Sequence, residues 1–232
     1  MRSRTVIGWG LAAVTAALVF GGPFLYYRYT YTFAKRLRPV DEGKVYRSGC
    51  MTADGLEHTI KQLKIRTVFN LMEELPDPLL STGYFDTTEV REAEVCERLG
   101  AKMIDLTVDT INPGLVGKDG QRPAAIDAFL ALMDRRDIYP VLIHCKAGLH
   151  RTGIMVAVYR MEYNGWSPRE ALGELKAVGF GDFAATAAND YIEQYVLTYK
   201  RRPDPLGVRG QESGVRGPQP AIRCTGRLVA DP

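Results

Sequence analysis

Metal-binding and disulfide signatures are the first thing this sequence lacks. Its 232 residues include only four cysteines (Cys50, Cys96, Cys145 and Cys224), far apart and with no C-x-x-C pair, and three histidines. That pattern argues against a zinc ribbon and against a disulfide-stapled miniprotein. An excess of one charge is missing too: 30 Lys and Arg against 27 Asp and Glu leave a net charge of +3. Duplex binders carry a concentrated basic face, so nucleic acid is not an expected partner. With 46% hydrophobic and 25% charged residues, the chain is not disordered overall, nor collagen-like.

Charge is absent altogether from Thr5 to Tyr27, a run bracketed by Arg4 and Arg28. As a helix this run would extend roughly 35 Å, enough to cross a hydrocarbon core of about 30 Å. Trp9 near one end, and Tyr26, Tyr27, Tyr29 and Tyr31 at the other, sit where interfacial aromatic anchors belong. Residues 1–38 therefore read as an uncleaved membrane anchor with its juxtamembrane segment, meeting the membrane through residues 5–27. A secretory signal is the rival reading, with Val19 and Gly21 as its small-x-small site. A buried core helix is the third, although such a helix rarely lacks a polar face. Arg28, Lys35, Arg36 and Arg38 follow the run, and Arg2, Arg4 and the amino terminus precede it. The balance leans toward a cytoplasmic main domain.

The far end lacks apolar periodicity. Between Pro203 and Pro232, ten of thirty residues are Gly or Pro. Such a segment buries too little surface to offset its ordering entropy, so 203–232 reads as a disordered tail. Residues 39–202 remain as one domain.

Within that domain, strand-like and helix-like runs alternate. Lys44–Tyr46, Arg66–Leu71, Lys102–Leu106 and Pro140–His144 are expected strands, the last of them the most apolar. Helical spacing appears at Thr52–Leu63 and around Ile126, Phe129, Leu130 and Met133. It appears again at Thr152–Asn164 and near Asn189–Lys200. Asp86-x-x-Glu89 is expected to open a helix ending at Leu99-Gly100, and Ser167-Pro168-Arg169-Glu170 to open another with a capping box. The alternation implies an α/β fold, a mostly parallel central sheet flanked by helices. Ligands in such sheets bind beyond the carboxyl ends of the strands, which points to the segment just after His144.

That segment is Cys145-Lys146-Ala147-Gly148-Leu149-His150-Arg151-Thr152-Gly153. A buried strand delivers a thiol, a tight loop succeeds it, and Arg151-Thr152 opens a helix. Residues 146–151 can turn backbone N–H groups inward as an anion-binding nest, to which the helix N-terminus adds its own. Gly148 permits the backbone angles of a tight loop. Arg151 offers a planar fork that holds two phosphate oxygens at once. These surroundings favour the thiolate, a nucleophile placed for in-line attack on a bound phosphoryl group. Lys146 and His150 would crown the pocket with positive charge. His144 either hydrogen-bonds around the cysteine loop or simply ends its strand.

C-x5-R followed by Thr-Gly, on a strand, loop and helix, resembles the signature of the cysteine-dependent protein tyrosine phosphatases. HCKAGLHRTG is similar to the small dual-specificity branch and its inositol-phosphate-hydrolysing relatives, and VYRSG, RTVFNL and GWSPREAL resemble bacterial members. The resemblance implies Cys145 as nucleophile through a phosphocysteine intermediate, with Arg151 binding phosphate and Thr152 assisting breakdown of the intermediate. It implies no metal or other cofactor. It also implies a general acid from an upstream loop, favouring Asp119 ahead of Pro123, with Asp109 as the alternative. The chain departs from the pattern at Cys50, where relatives often carry Gln, and at Met72, where they often carry Arg. It has no Trp-Pro-Asp loop. The expected partner is a phosphorylated protein or a small anionic phosphate ester. A phosphoinositide or inositol phosphate phosphatase, or a phosphate-binding module without turnover, are the alternatives.

Overall fold

An apolar helical run opens the chain in the computed structural model, which describes residues 2–72, 75–83, 86, 88–106, 122–181 and 190–203. Helix α1 (Arg2–Ala16) passes through a π-helical turn, Ala17–Gly21, into α2 (Gly22–Arg28) and a second π-helical turn, Tyr29–Phe33. Val6–Phe33, 28 residues whose most apolar 18-residue window has a mean hydropathy of 1.7, is long and apolar enough to cross a membrane. None of its most apolar stretch is buried among the described residues. The span thus reaches six residues past Tyr27, where the uncharged run stops.

Lys35 and Arg36, both at positive φ, then turn the chain into the domain. Strands β1 (Arg38–Asp41), β2 (Val45–Gly49), β3 (Thr67–Asn70), β6 (Lys102–Asp105) and β7 (Val141–Cys145) form one sheet in the order β1-β2-β7-β3-β6. All neighbours are parallel except β1, which pairs antiparallel with β2 at the edge. Strand β7 lies at the centre with every residue buried, as a strand covered on both faces must be.

Alternation along the strands sorts side chains to two layers. Val45, Phe69, Val141, Ile143 and Cys145 face one core, with residues of α5 (Ala124–Met133), α6 (Arg151–Tyr163), α7 (Pro168–Ala177) and α8 (Asp190–Thr198). Tyr46, Val68 and Leu142 face the other, under α3 (Ala53–Leu63) and α4 (Glu92–Arg98). Ile126, Phe129, Leu130 and Met133 are all buried, as their spacing requires.

Capping chemistry sets several boundaries. The Thr52 hydroxyl accepts from Gly55 N–H at the start of α3, and Ser167 with Glu170 completes the capping box of α7. One expectation fails. Asp86 and Glu89 do not open a helix: the Asp86 carboxylate accepts from Thr88 N–H in a turn, and Glu89–Arg91 is strand β5, paired with β4 (Leu79–Ser81). An Asx turn and an N-cap use the same side-chain acceptor, which is why the motif misleads. Helix α4 starts at Glu92, whose N–H bonds the Pro78 carbonyl.

Candidate active site

Strand β7 carries Cys145 to the carboxyl edge of the sheet, where Gly49 of β2 is its register partner. The thiol is 5% exposed. Residues 146–150 then wrap into the first turn of α6, and the carbonyls of this loop are all engaged from outside. Lys146 O accepts from Cys50 N–H at 3.2 Å, and Ala147 O from Arg36 Nη1 at 3.1 Å. Gly148 O accepts from Arg47 Nη2 at 2.8 Å, and Leu149 O and His150 O from the α6 amides of Gly153 and Ile154.

In a trans peptide the N–H points opposite to the C=O. Carbonyls turned outward therefore turn the next residue's N–H inward, and among the described residues no protein acceptor takes the N–H groups of residues 147–150. That is the geometry of an anion nest at a helix N-terminus. Gly148 makes it possible. Its φ is +73°, and a Cβ there would lie 2.5 Å from Ser48 O and 2.7 Å from Gly49 N, both backbone atoms of β2.

Arg151 opens α6, and its Nη1 donates to Leu71 O at 3.2 Å, which draws the guanidinium across the loop toward the end of β3. Thr152 is fully buried, and its hydroxyl has no partner among the described residues. Lys146 is exposed. Burial and the neighbouring Arg151 hold His150 below the ordinary imidazole range, and its ring meets that of Phe180 in a T-shaped contact. Leu149 is buried.

His144 does more than end a strand. Its Nε2 lies 2.7 Å from Glu92 Oε1, with both side chains buried. Glu92, Arg47 and Arg36 are residues that sequence reasoning missed. Arg47 had a signal: an arginine inside the otherwise small and apolar VYRSG strand. Cys50 is half-buried beside the loop, while Cys96 is buried on the inner face of α4, and both thiols are pushed up to about 12, chiefly by burial and then by Glu92. Asp119 and Asp109 lie outside the described residues, as does the 204–232 segment.

Residues 34–205 match the sequence model of the tyrosine phosphatase family. The dual specificity protein phosphatase TpbA of Pseudomonas aeruginosa is 51% identical over 43 residues, 18% of this chain and 20% of that protein. The match thus spans about a fifth of that relative's length. The core catalytic domain of the PP-IP phosphatase SIW14 from S. cerevisiae, in complex with citrate, superposes with a TM-score of 0.51 at 18% identity. It covers 71% of this chain and 85% of that one. A second structure of the Siw14 catalytic core gives 0.50 at the same identity, over 71% and 84% of the two chains. At that identity the likeness shows a shared fold.

Proposed function

Because the chain belongs to the tyrosine phosphatase family, we propose that it hydrolyses phosphate monoesters through a phosphocysteine at Cys145. The observation that carries this reading is the loop whose carbonyls at 146–150 are all bonded outward, around a thiol at its base. The Cys145 thiolate attacks phosphorus, an S–P bond forms, and the ester P–O bond breaks. The leaving oxygen takes a proton from a carboxylic acid, a role we give to Asp119, with Asp109 as the alternative. Water then attacks phosphorus, the S–P bond breaks to restore the thiolate, and the carboxylate takes the water's proton.

The inward N–H groups and Arg151 hold the three equatorial oxygens, whose charge must be stabilised as the bonds exchange. Thr152, buried in the first turn of α6 with its hydroxyl unpartnered among the described residues, assists departure of the thiolate in the second step. No metal enters the scheme. A phosphorylated protein, at tyrosine or at serine and threonine, is the substrate class that the TpbA likeness favours. Residues 39–202 form the catalytic domain, 1–38 a single-pass anchor, and 203–232 a tail. The domain faces the cytoplasm, because Arg28, Lys35, Arg36 and Arg38 follow the uncharged run 5–27 and because a reducing compartment preserves the thiolate.

Two experiments test the reading. Phosphotyrosine, phosphothreonine, phosphoinositide and inositol phosphate substrates are offered to the full chain in detergent, with a chelator present. Phosphopeptide turnover supports the protein-phosphatase reading, and turnover of inositol phosphates alone replaces it. Protease added after only the outer barrier of intact cells is opened should leave the domain whole. Digestion there would reverse the orientation.

A further inference from the structure

Behind the loop stands an arginine that the proposed reaction does not use. Arg47, in the middle of β2, is 3% exposed and registers with Ile143, on the face of the sheet shared with Cys145. Its Nη2 donates to Gly148 O, and its Nη1 is buried with no hydrogen-bond partner among the described residues. Burial pulls the guanidinium down to about 10, while Glu174 and Cys145 favour its charged form and Arg38 and Arg160 oppose it. At neutral pH it is therefore still a cation. A buried cation with an unmatched N–H is costly unless an anion compensates it. Cys145, as a thiolate or with a phosphoryl group in the loop before it, supplies such an anion on the same face.

A second arginine acts from outside. Arg36 Nη1 holds Ala147 O, and its guanidinium sits 5.1 Å from the centre of the Tyr31 ring. The turn that presents it is tied down by Gly49 N–H donating to Lys35 O at 2.7 Å. Three successive carbonyls, at 146, 147 and 148, are thus pinned by Cys50 N–H, Arg36 and Arg47. Two of the three donors are charged side chains, and charged donors make the stronger bonds. One of them belongs to the segment that leaves the apolar helix, so this segment is part of the loop's frame.

We propose that Arg47, assisted by Arg36, is the positioning residue of the oxyanion loop. It pins the Gly148 carbonyl outward so that the neighbouring N–H groups face the substrate, and it places a buried positive charge behind Cys145. The proposal rests on the reading of residues 145–151 as an oxyanion-binding loop.

The test uses the full chain in detergent, with Arg47→Met, Arg47→Lys and Arg36→Met, and with Arg98→Met as a surface control. Vanadate affinity, kcat and KM for an aryl phosphate, and the thermal midpoint are measured together. Arg47→Met should weaken vanadate at least about tenfold and lower kcat as well as raise KM, and Arg36→Met should weaken it about threefold. Arg47→Lys, which keeps the charge without the fork, should recover part of the loss. Should Arg47→Met fail to fold, Arg47→Lys and Arg36→Met carry the test, each expected to bind vanadate less tightly than the parent. Vanadate affinity equal to the parent's in the folded Arg47 and Arg36 variants overturns this inference alone, even if their midpoints fall. A parent chain that binds no vanadate overturns the phosphatase reading, and this inference with it.

Discussion

Glu92 Oε1 lies 2.7 Å from His144 Nε2, a contact between the first residue of α4 and the residue just before Cys145. Both side chains are at most 3% exposed. Glu92 is itself tied to Pro78 O, so the segment around β4 and β5 braces the cysteine strand from the face opposite α6. A buried polar atom that loses its partner costs about 1–3 kcal/mol. We expect Glu92→Ala to lower stability in urea by that amount and Glu92→Gln, which keeps a polar group of the same shape against His144, by less. Equal stability of the alanine variant and the parent would show that the contact braces nothing.

Gly148 is the residue of the loop least open to substitution. A Cβ would have to displace the backbone of Ser48 and Gly49, which cannot move without breaking the β2–β7 register. Gly148→Ala should therefore push the loop off its geometry and lower kcat/KM about a hundredfold, the scale set by a misplacement near 1 Å. The far-ultraviolet spectrum should stay native. Wild-type turnover from this variant would mean the loop tolerates a left-handed alanine.

Alkaline pH should unfold the protein through its buried thiols. Cys50 and Cys96 are raised from 9.0 to about 12 in the fold, and Tyr139 is raised from 10.0 to about 12, burial being the main cause in each. A group with a raised folded value contributes stability below its unfolded value and loses it as pH climbs through the folded one. The urea midpoint should hold to about pH 8.5 and fall from about pH 9 to 12. Cys96→Val should make that fall shallower. A midpoint that rises above pH 9 would contradict the assignment.

Peroxide should inactivate the proposed phosphatase at one residue. A thiolate displaces water from hydrogen peroxide to become a sulfenic acid, which dithiothreitol reduces again. Cys50 and Cys96, held as thiols, should react far more slowly. Vanadate in the loop should protect. Peptide mass analysis that finds Cys50 or Cys96 oxidised before Cys145 would sink this ordering.

Local patterns were legible where one short stretch of chain decides the outcome. The PVLIH run supplies four of the five residues of buried strand β7, the Ser167–Glu170 capping box opens α7, and Thr52 caps α3. The cysteine loop was legible for the same reason, since strand, thiol, glycine, arginine and helix start are contiguous. The features that escaped depend on neighbours distant in sequence. Arg38–Asp41 is a strand because β2 offers its edge, and Glu89–Arg91 because Leu79–Ser81 does. Arg47 reaches Gly148 across 101 positions and Arg36 reaches Ala147 across 111, so no local pattern gives the partner of either. Glu92 looks like an ordinary first-turn acid until the fold puts it against His144.

If Cys145 carries phosphate during turnover, the phosphoenzyme can be trapped. The full chain is quenched in acid within milliseconds of mixing with an aryl phosphate, then digested, and the peptide containing residues 145–151 is weighed by mass spectrometry. Phosphate is expected on Cys145 in the parent, more of it in Thr152→Ala, and none in Cys145→Ser, which should also be inactive. Phosphate on another residue, or a Cys145→Ser chain that turns over as fast as the parent, would refute the phosphocysteine mechanism.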